Sequence, residues 1–396
     1  MKKPERSHYN RFWNLDNDIV FLNHGSFGAT PSFVLEEQRK WVRLMEKDPI
    51  HFFEHGALEP HAQAKKAVAQ MAGCEARDLA LLENATTGVN TVLRSLTFKQ
   101  GDEILVPDHA YKACRNAIDF VAKRWGATVV TFSIPFPLQS EEQVLASMRE
   151  AVTDRTMFAM IDSVTSPTAL RLPFETMVAE LEGQGIEVLL DAAHGIGMIP
   201  LNLSELGASY VTSNCHKWLC APKGAAFLYV RKDKQEHIHP LTISHGHTVP
   251  EGVKSRFELE FDWTGTRDLS AILSLPTVID GLAHMHEGGW NGIMKHNHDL
   301  VVNGRTLLLD GLGLEAPCPE SMLGSIATIP LPHHGEINLF APDPLHARLR
   351  EHYGIQIPVM QWDSPKGRYV RISAQLYNSI EEYVYLLECL KIELNV

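Results

Sequence analysis

The six cysteines, Cys74, Cys114, Cys215, Cys220, Cys318 and Cys389, are scattered, and no two of them stand in a CxxC pair. That excludes a zinc ribbon and a disulfide framework, and it points to reduced thiols in a cytoplasmic protein. No apolar run reaches the roughly 18 to 20 residues that a bilayer-spanning helix requires, so no membrane partner is expected. Positive charge is also scarce. The formal net charge of −12 leaves no basic surface for nucleic acid. The opening MKKPERSHYNRFW carries charge but no apolar core, so no signal peptide is expected. Internal repeats and low-complexity segments are missing as well.

What the sequence does have is alternation. Residues 1–30 lack periodicity and read as an arm. SFVLEEQRKWVRLMEK (32–47) places Val34, Trp41, Leu44 and Met45 near one helical face, and HAQAKKAVAQMAG reads as a second helix stopped by Gly73. Seven short apolar runs follow: DLALLE, EILVPD, ATVVTFS, TMFAMIDSV, EVLLDAA, YVTSNCH and AAFLYV. Among them lie the helical segments TGVNTVLRSL, YKACRNAIDFVAKRWG, EEQVLASMREAV and FETMVAELEGQG. Strands apolar on both faces and separated by helices predict an α/β fold on a mostly parallel sheet. The character changes after residue 275. A large domain is therefore expected over 31–275 and a small α+β domain over 276–396.

In open α/β sheets, ligands collect beyond the carboxyl ends of the strands. Four segments end there: ALLE before NATTGVN, ILVPD before HAYKA, VLLD before AAHGIG, and VTSNC before HKWL. Thr86, Thr87 and Gly88 sit at a strand-to-helix turn, where backbone N–H groups form an anion site; an ordinary capped helix has the same signature. Asp191 ends an apolar strand, either as a cap or facing a cation, and His194 follows it. Lys217 stands between two strands. Shielded there it loses solvation, and its neutral amine can condense with a carbonyl; exposed, it would only snorkel to solvent.

One cofactor uses all of these groups. Pyridoxal phosphate takes a lysine for its aldehyde, an anion cradle for its phosphate and a carboxylate against its pyridine nitrogen. A flat side chain over the ring and a donor to the ring oxygen complete the set. His109 is the stacking candidate, with Tyr111 in reserve, and His194 is the donor.

DAAHGIG followed by SNCHKWL resembles the signature of the class V aminotransferase fold, within the fold-type I pyridoxal-phosphate enzymes. FLNHGSFGATP, NATTGVN, HKWLCAPKG, FDWTGTRD and MLGSIATIPLP look most like isopenicillin N epimerase and its relatives. The resemblance implies a seven-stranded, mostly parallel sheet, a small C-terminal domain and an active site at a homodimer interface. It implies that Lys217 carries the cofactor, that Asp191 pairs with the pyridine nitrogen, and that Thr86, Thr87, Asn214 and His216 surround the phosphate. Thr266, in TGTRD, would reach the neighbouring subunit's phosphate. Arg371, in YVRISAQLYN, would grip the α-carboxylate of an amino-acid substrate, a task that suits a bidentate guanidinium; its plain alternative is a surface ion pair.

The cofactor fixes the electron sink but not the outcome. Once Lys217 has taken the Cα proton, reprotonation from the other face gives epimerisation, loss of a β-substituent gives elimination, and protonation at the cofactor carbon gives transamination. The motif match ranks an epimerase or racemase first and a C–S β-lyase acting on cysteine or a cysteine derivative next. An aminotransferase follows, and an inactive binding protein is the alternative from another class. An epimerase needs a second acid opposite Lys217, for which His109, Tyr111 and His24 are candidates; His24 and Tyr111 are also placed on the substrate side with Arg371. Persulfide-forming desulfurase chemistry is disfavoured, because no cysteine lies between Cys318 and Arg371. Cys215 and Cys220 read as packing residues beside Lys217. The spacing of His237, His239, His245 and His247 matches no metal site, so no metal is expected.

Overall fold

The computed structural model describes residues 2–332, 343–363 and 366–396. Seven strands form the central sheet: β1 (Leu79–Leu82), β2 (Glu103–Pro107), β3 (Thr128–Phe132), β4 (Thr156–Asp162), β5 (Glu187–Asp191), β6 (Tyr210–Asn214) and β7 (Ala226–Val230). Their order is β1-β7-β6-β5-β4-β2-β3. Only β7 runs against its neighbours. The reason is the connection: residues 215–225 are too few for the crossover of a dozen or more residues that a parallel pair requires. Lys217 lies in this short connection.

Every residue of β1, β2, β6 and β7 is buried. Alternate residues face opposite sides, as the pleat demands. Leu79, Leu81, Leu105, Leu190 and Val211 join one apolar cluster, while Ala80, Leu82, Ile104, Val106 and Leu189 join the other. The connecting helices are α1 (Ser32–Lys47), α2 (Leu58–Ala72), α3 (Ala85–Ser95), α4 (Lys112–Trp125), α5 (Glu141–Ala151) and α6 (Phe174–Gly183). The C-terminal part contains α7 (Gly289–Leu312), β8 (Ile326–Leu331), β9 (Val359–Asp363), β10 (Lys366–Ser373) and α8 (Ile380–Leu394). Its three strands form an antiparallel sheet in the order β9-β10-β8.

The N-terminal arm is strapped to this second sheet system. Val20–Phe21 pairs in parallel with Ile355–Gln356, and the His24 backbone N–H donates to Ser373 Oγ at 2.7 Å. The strap carries Ser26 and Phe27 to the carboxyl end of the large sheet. No helix among the described residues is long and apolar enough to cross a membrane.

Candidate active site

The carboxyl ends of β4, β5 and β6 and the start of α3 enclose a cavity of about 140 Å³. Lys217 enters it from a loop whose shape is tightly set. The N–H groups of Cys215 and His216 both donate to the Ala225 carbonyl, at 3.0 and 3.2 Å. Two glycines from distant segments clasp the loop. At Gly28 (φ 70°) a Cβ would lie 2.1 Å from the His216 carbonyl oxygen, and at Gly197 (φ 83°) it would lie 2.6 Å from the Trp218 carbonyl carbon. Only a residue without a side chain allows both the backbone angle and the approach.

The Lys217 amine is 3.2 Å from His194 Nε2. Burial pulls its pKa down to about 8, against the opposing attraction of Asp191. Asp191 is buried at the end of β5. Its Oδ1 accepts from the Ala193 N–H at 3.0 Å and its Oδ2 from the Cys114 thiol at 3.2 Å. Beside it in register stands Asp162 of β4. Asp162 also lines the cavity and is buried, and burial and the neighbouring Asp191 hold its carboxyl well above the usual range.

The start of α3 forms another wall, with Asn84, Ala85 and Thr86 facing the cavity. Asn214 Oδ1 accepts from the Ala85 N–H at 2.9 Å, so β6 fixes the helix end. Thr87 is committed elsewhere: its N–H and hydroxyl both donate to Asn84 Oδ1, at 2.8 and 3.2 Å. His216 faces the cavity, and burial lowers its pKa to about 4.

Arg371 projects from β10 and is only 5% exposed. It donates to the Ser166 carbonyl and hydroxyl and, at 3.0 Å, to Ser26 Oγ; both serines line the cavity. Among the described residues no carboxylate pairs with it, so a buried cation has only neutral partners. Burial alone brings its pKa down to about 10. Such a group calls for an incoming anion.

Three candidates stand apart from this cluster. His109 is fully buried and does not line the cavity; its Nδ1 bonds to Thr168 Oγ1 at 2.8 Å and its ring meets Phe136 edge-on. Tyr111, two residues on, does line the cavity and is 46% exposed. The turn after β2 is the cause: the chain dips inward at His109 and re-emerges at the N-cap of α4. His24 is buried beneath the lysine, with Nε2 2.9 Å from the Lys217 carbonyl and Nδ1 2.8 Å from the Tyr377 hydroxyl. Burial lowers its pKa to about 3, so it is neutral and committed to structure. Thr266 is exposed and lies outside the cavity of its own chain. Of the histidines in 237–247, His239 and His247 clamp the two oxygens of the buried Glu260, at 2.7 and 2.8 Å.

Sequence reading passed over Asp162, Cys114, Ser26 and Ser166. For Asp162 a signal existed, since TMFAMID ends in a carboxylate just as EVLLD does. Cys114 and the serines carried none, because only the folded chain brings them to the strand ends.

The cavity suits pyridoxal phosphate by two orphaned polar atoms. Asp162 Oδ2 and His216 Nδ1 are buried without a hydrogen-bond partner, and both residues line the cavity. A polar ligand in the cavity would satisfy both. An amine tuned toward neutrality, a carboxylate held from both sides and a helix start complete the donor set.

Comparisons with known proteins agree. Residues 28–384 match the family described as aminotransferase class-V. A putative L-cysteine desulfhydrase of Oryza sativa subsp. japonica is 32% identical over 92% of this chain and 81% of its own. Isopenicillin N epimerase of Streptomyces clavuligerus is 29% identical over 95% of each chain. Among solved structures, an apo cysteine desulfurase from Thermococcus onnurineus NA1 overlays with a TM-score of 0.82 at 18% identity, covering 100% of both chains. That likeness speaks for the fold. The chain belongs to the class V aminotransferase family and is a pyridoxal-phosphate enzyme.

Proposed function

We propose that this enzyme is a C–S β-lyase of the cysteine desulfhydrase type, converting L-cysteine and water to hydrogen sulfide, pyruvate and ammonia. One observation carries the choice over epimerisation. Of the three candidates for a second acid, His24 lies beneath the Lys217 carbonyl and His109 lies off the cavity behind Thr168, which leaves the Tyr111 phenol alone to oppose Lys217. An elimination needs a single base, whereas this route to epimerisation needs a base on one face and an acid on the other. The relative with the higher identity carries a desulfhydrase name.

Lys217 would hold the cofactor, Asp191 would face the pyridine nitrogen, and Asn84, Thr86 and His216 would border the phosphate. Tyr111, in place of His109, would cover the ring. When bound, the cofactor draws off the electron pair left as the Cα–H bond breaks. Arg371 binds the substrate carboxylate, exchanging its serine partners for a bidentate anion. The Lys217 amine accepts the Cα proton. The Cβ–S bond then breaks, sulfur departs with the electron pair, and the Lys217 ammonium returns the proton to it. The remaining 2-aminoacrylate takes up water to give pyruvate and ammonia. No protein thiol takes the sulfur. Cys114 is the one cysteine facing the cavity, and its hydrogen is bound to Asp191.

A second copy of the chain would complete the site. Phe27 at the cavity is 72% exposed, and Thr266 is exposed as well. The deciding experiment is incubation of the purified, cofactor-loaded protein with L-cysteine in deuterated water. Equal amounts of sulfide and pyruvate are expected. Accumulation of D-cysteine would establish the epimerase instead, and alanine with a protein persulfide would establish a desulfurase.

A further inference from the structure

The two ring nitrogens of His194 have different neighbours. Nδ1 lies 3.0 Å from Nε1 of Trp218, and Nε2 lies 3.2 Å from the Lys217 amine. An indole N–H can only donate. Nδ1 must therefore accept, and in a neutral imidazole the one ring proton then resides on Nε2. Trp218 is 0% and His194 2% exposed, so water offers Nδ1 no alternative donor.

We propose that Trp218 is a positioning residue that locks His194 in its Nε2–H tautomer, so that the imidazole can only donate into the cavity. Two consequences follow. The bond between His194 and Lys217 runs from Nε2–H to the lysine lone pair, which requires an uncharged amine. With pyridoxal phosphate in place, the same N–H is a fixed donor for the ring oxygen and favours its anionic form. Burial above all disfavours a second proton on the imidazole; the titratable and charged groups facing it are Lys217, Arg371 and the neutral His24, of which the two cations add to the effect when charged. Trp218 thus sets a direction of hydrogen bonding that a lone histidine would leave open. The proposal rests on dependence on pyridoxal phosphate, not on cysteine being the substrate.

Trp218→Phe retains an aromatic ring but removes the donor. In the holoenzyme, the pH midpoint of the cofactor's absorbance change should rise by about one unit, as loss of a hydrogen bond to an anion implies. His194→Phe removes the imidazole and with it every hydrogen bond that Trp218 could direct. In that background, Trp218→Phe should move the midpoint by only a small fraction as much. An equal shift in both backgrounds would mean that Trp218 acts by packing alone, and the proposal would fall. A measurement on the unsubstituted holoenzyme covers the case in which Trp218→Phe does not fold. With ¹⁵N-labelled histidine, assigned by comparison with His194→Phe, the proton should couple to Nε2 and leave Nδ1 bare; a proton on Nδ1 overturns the assignment. Both readouts stand whether or not cysteine is turned over, so a wrong substrate and a wrong tautomer are told apart.

Discussion

The Cys114 thiol donates to Asp191 Oδ2 across 3.2 Å, while Asp191 Oδ1 is held by the Ala193 N–H. Each carboxylate oxygen thus has its own anchor, and the plane of the acid is fixed. Burial and the nearby carboxylates push the Cys114 thiol far above its ordinary range. A thiol so held is not a nucleophile.

Cys114→Ala should therefore leave sulfide release within about threefold of the parent enzyme. It should weaken pyridoxal-phosphate binding by about tenfold, the effect of losing one hydrogen bond to a charged group. Spectrophotometric cofactor titration and a sulfide assay on the same preparation separate the two. Loss of turnover with cofactor binding intact would restore Cys114 as a sulfur acceptor.

The cofactor-free chain should capture pyridoxal phosphate in a pH-dependent way. Only the neutral amine attacks an aldehyde, and the Lys217 pKa is lowered to about 8. The rate should climb as pH rises toward about 8 and level off above it. An ordinary lysine would keep accelerating to much higher pH. Stopped-flow absorbance against pH decides between them.

Arg371→Ala should raise the KM for the amino acid by about a hundredfold, near the upper end of what a charge-assisted hydrogen bond contributes. Arg371→Lys should recover little of this, since an ammonium lacks the fork. Both variants should keep the cofactor's colour. Bleaching would mean that Arg371 serves the cofactor site instead of the substrate.

Tyr111→Phe keeps the ring but removes the phenol. Sulfide release should stay within about threefold of the parent if the tyrosine only covers the cofactor, as general acid catalysis contributes about a hundredfold or more. Tyr111→Ala should weaken cofactor binding by about tenfold, consistent with loss of an aromatic contact. A collapse of activity in Tyr111→Phe would identify the phenol as a proton donor.

The strands and helices of the large sheet were legible because their signals are local. EVLLD and AAFLYV carry apolar residues on both faces, and a strand end with a polar residue marks a ligand edge. Lys217, Asp191 and His194 could thus be placed together before any coordinates. His109 could not be told from Tyr111, because two residues at a turn differ only in which way the chain dips. His24 looked like a site residue for the opposite reason: its segment does reach the lysine, but from beneath, through Tyr377 and the Lys217 carbonyl. The reversal of β7 was written in the brevity of 215–225, a spacing argument that apolar pattern alone does not make. Cys114 and Trp218 owe their contacts with Asp191 and His194 to packing between segments apart in the chain, and packing leaves no trace in spacing.

The strap between Val20–Phe21 and Ile355–Gln356 has a consequence for biosynthesis. The arm is made on the ribosome long before its docking strand. Gly28, which walls in the lysine loop, cannot settle until Ile355–Gln356 has been translated. Nascent chains that stop short of that strand would therefore carry no finished pocket, and loading with vitamin B6 would wait for it.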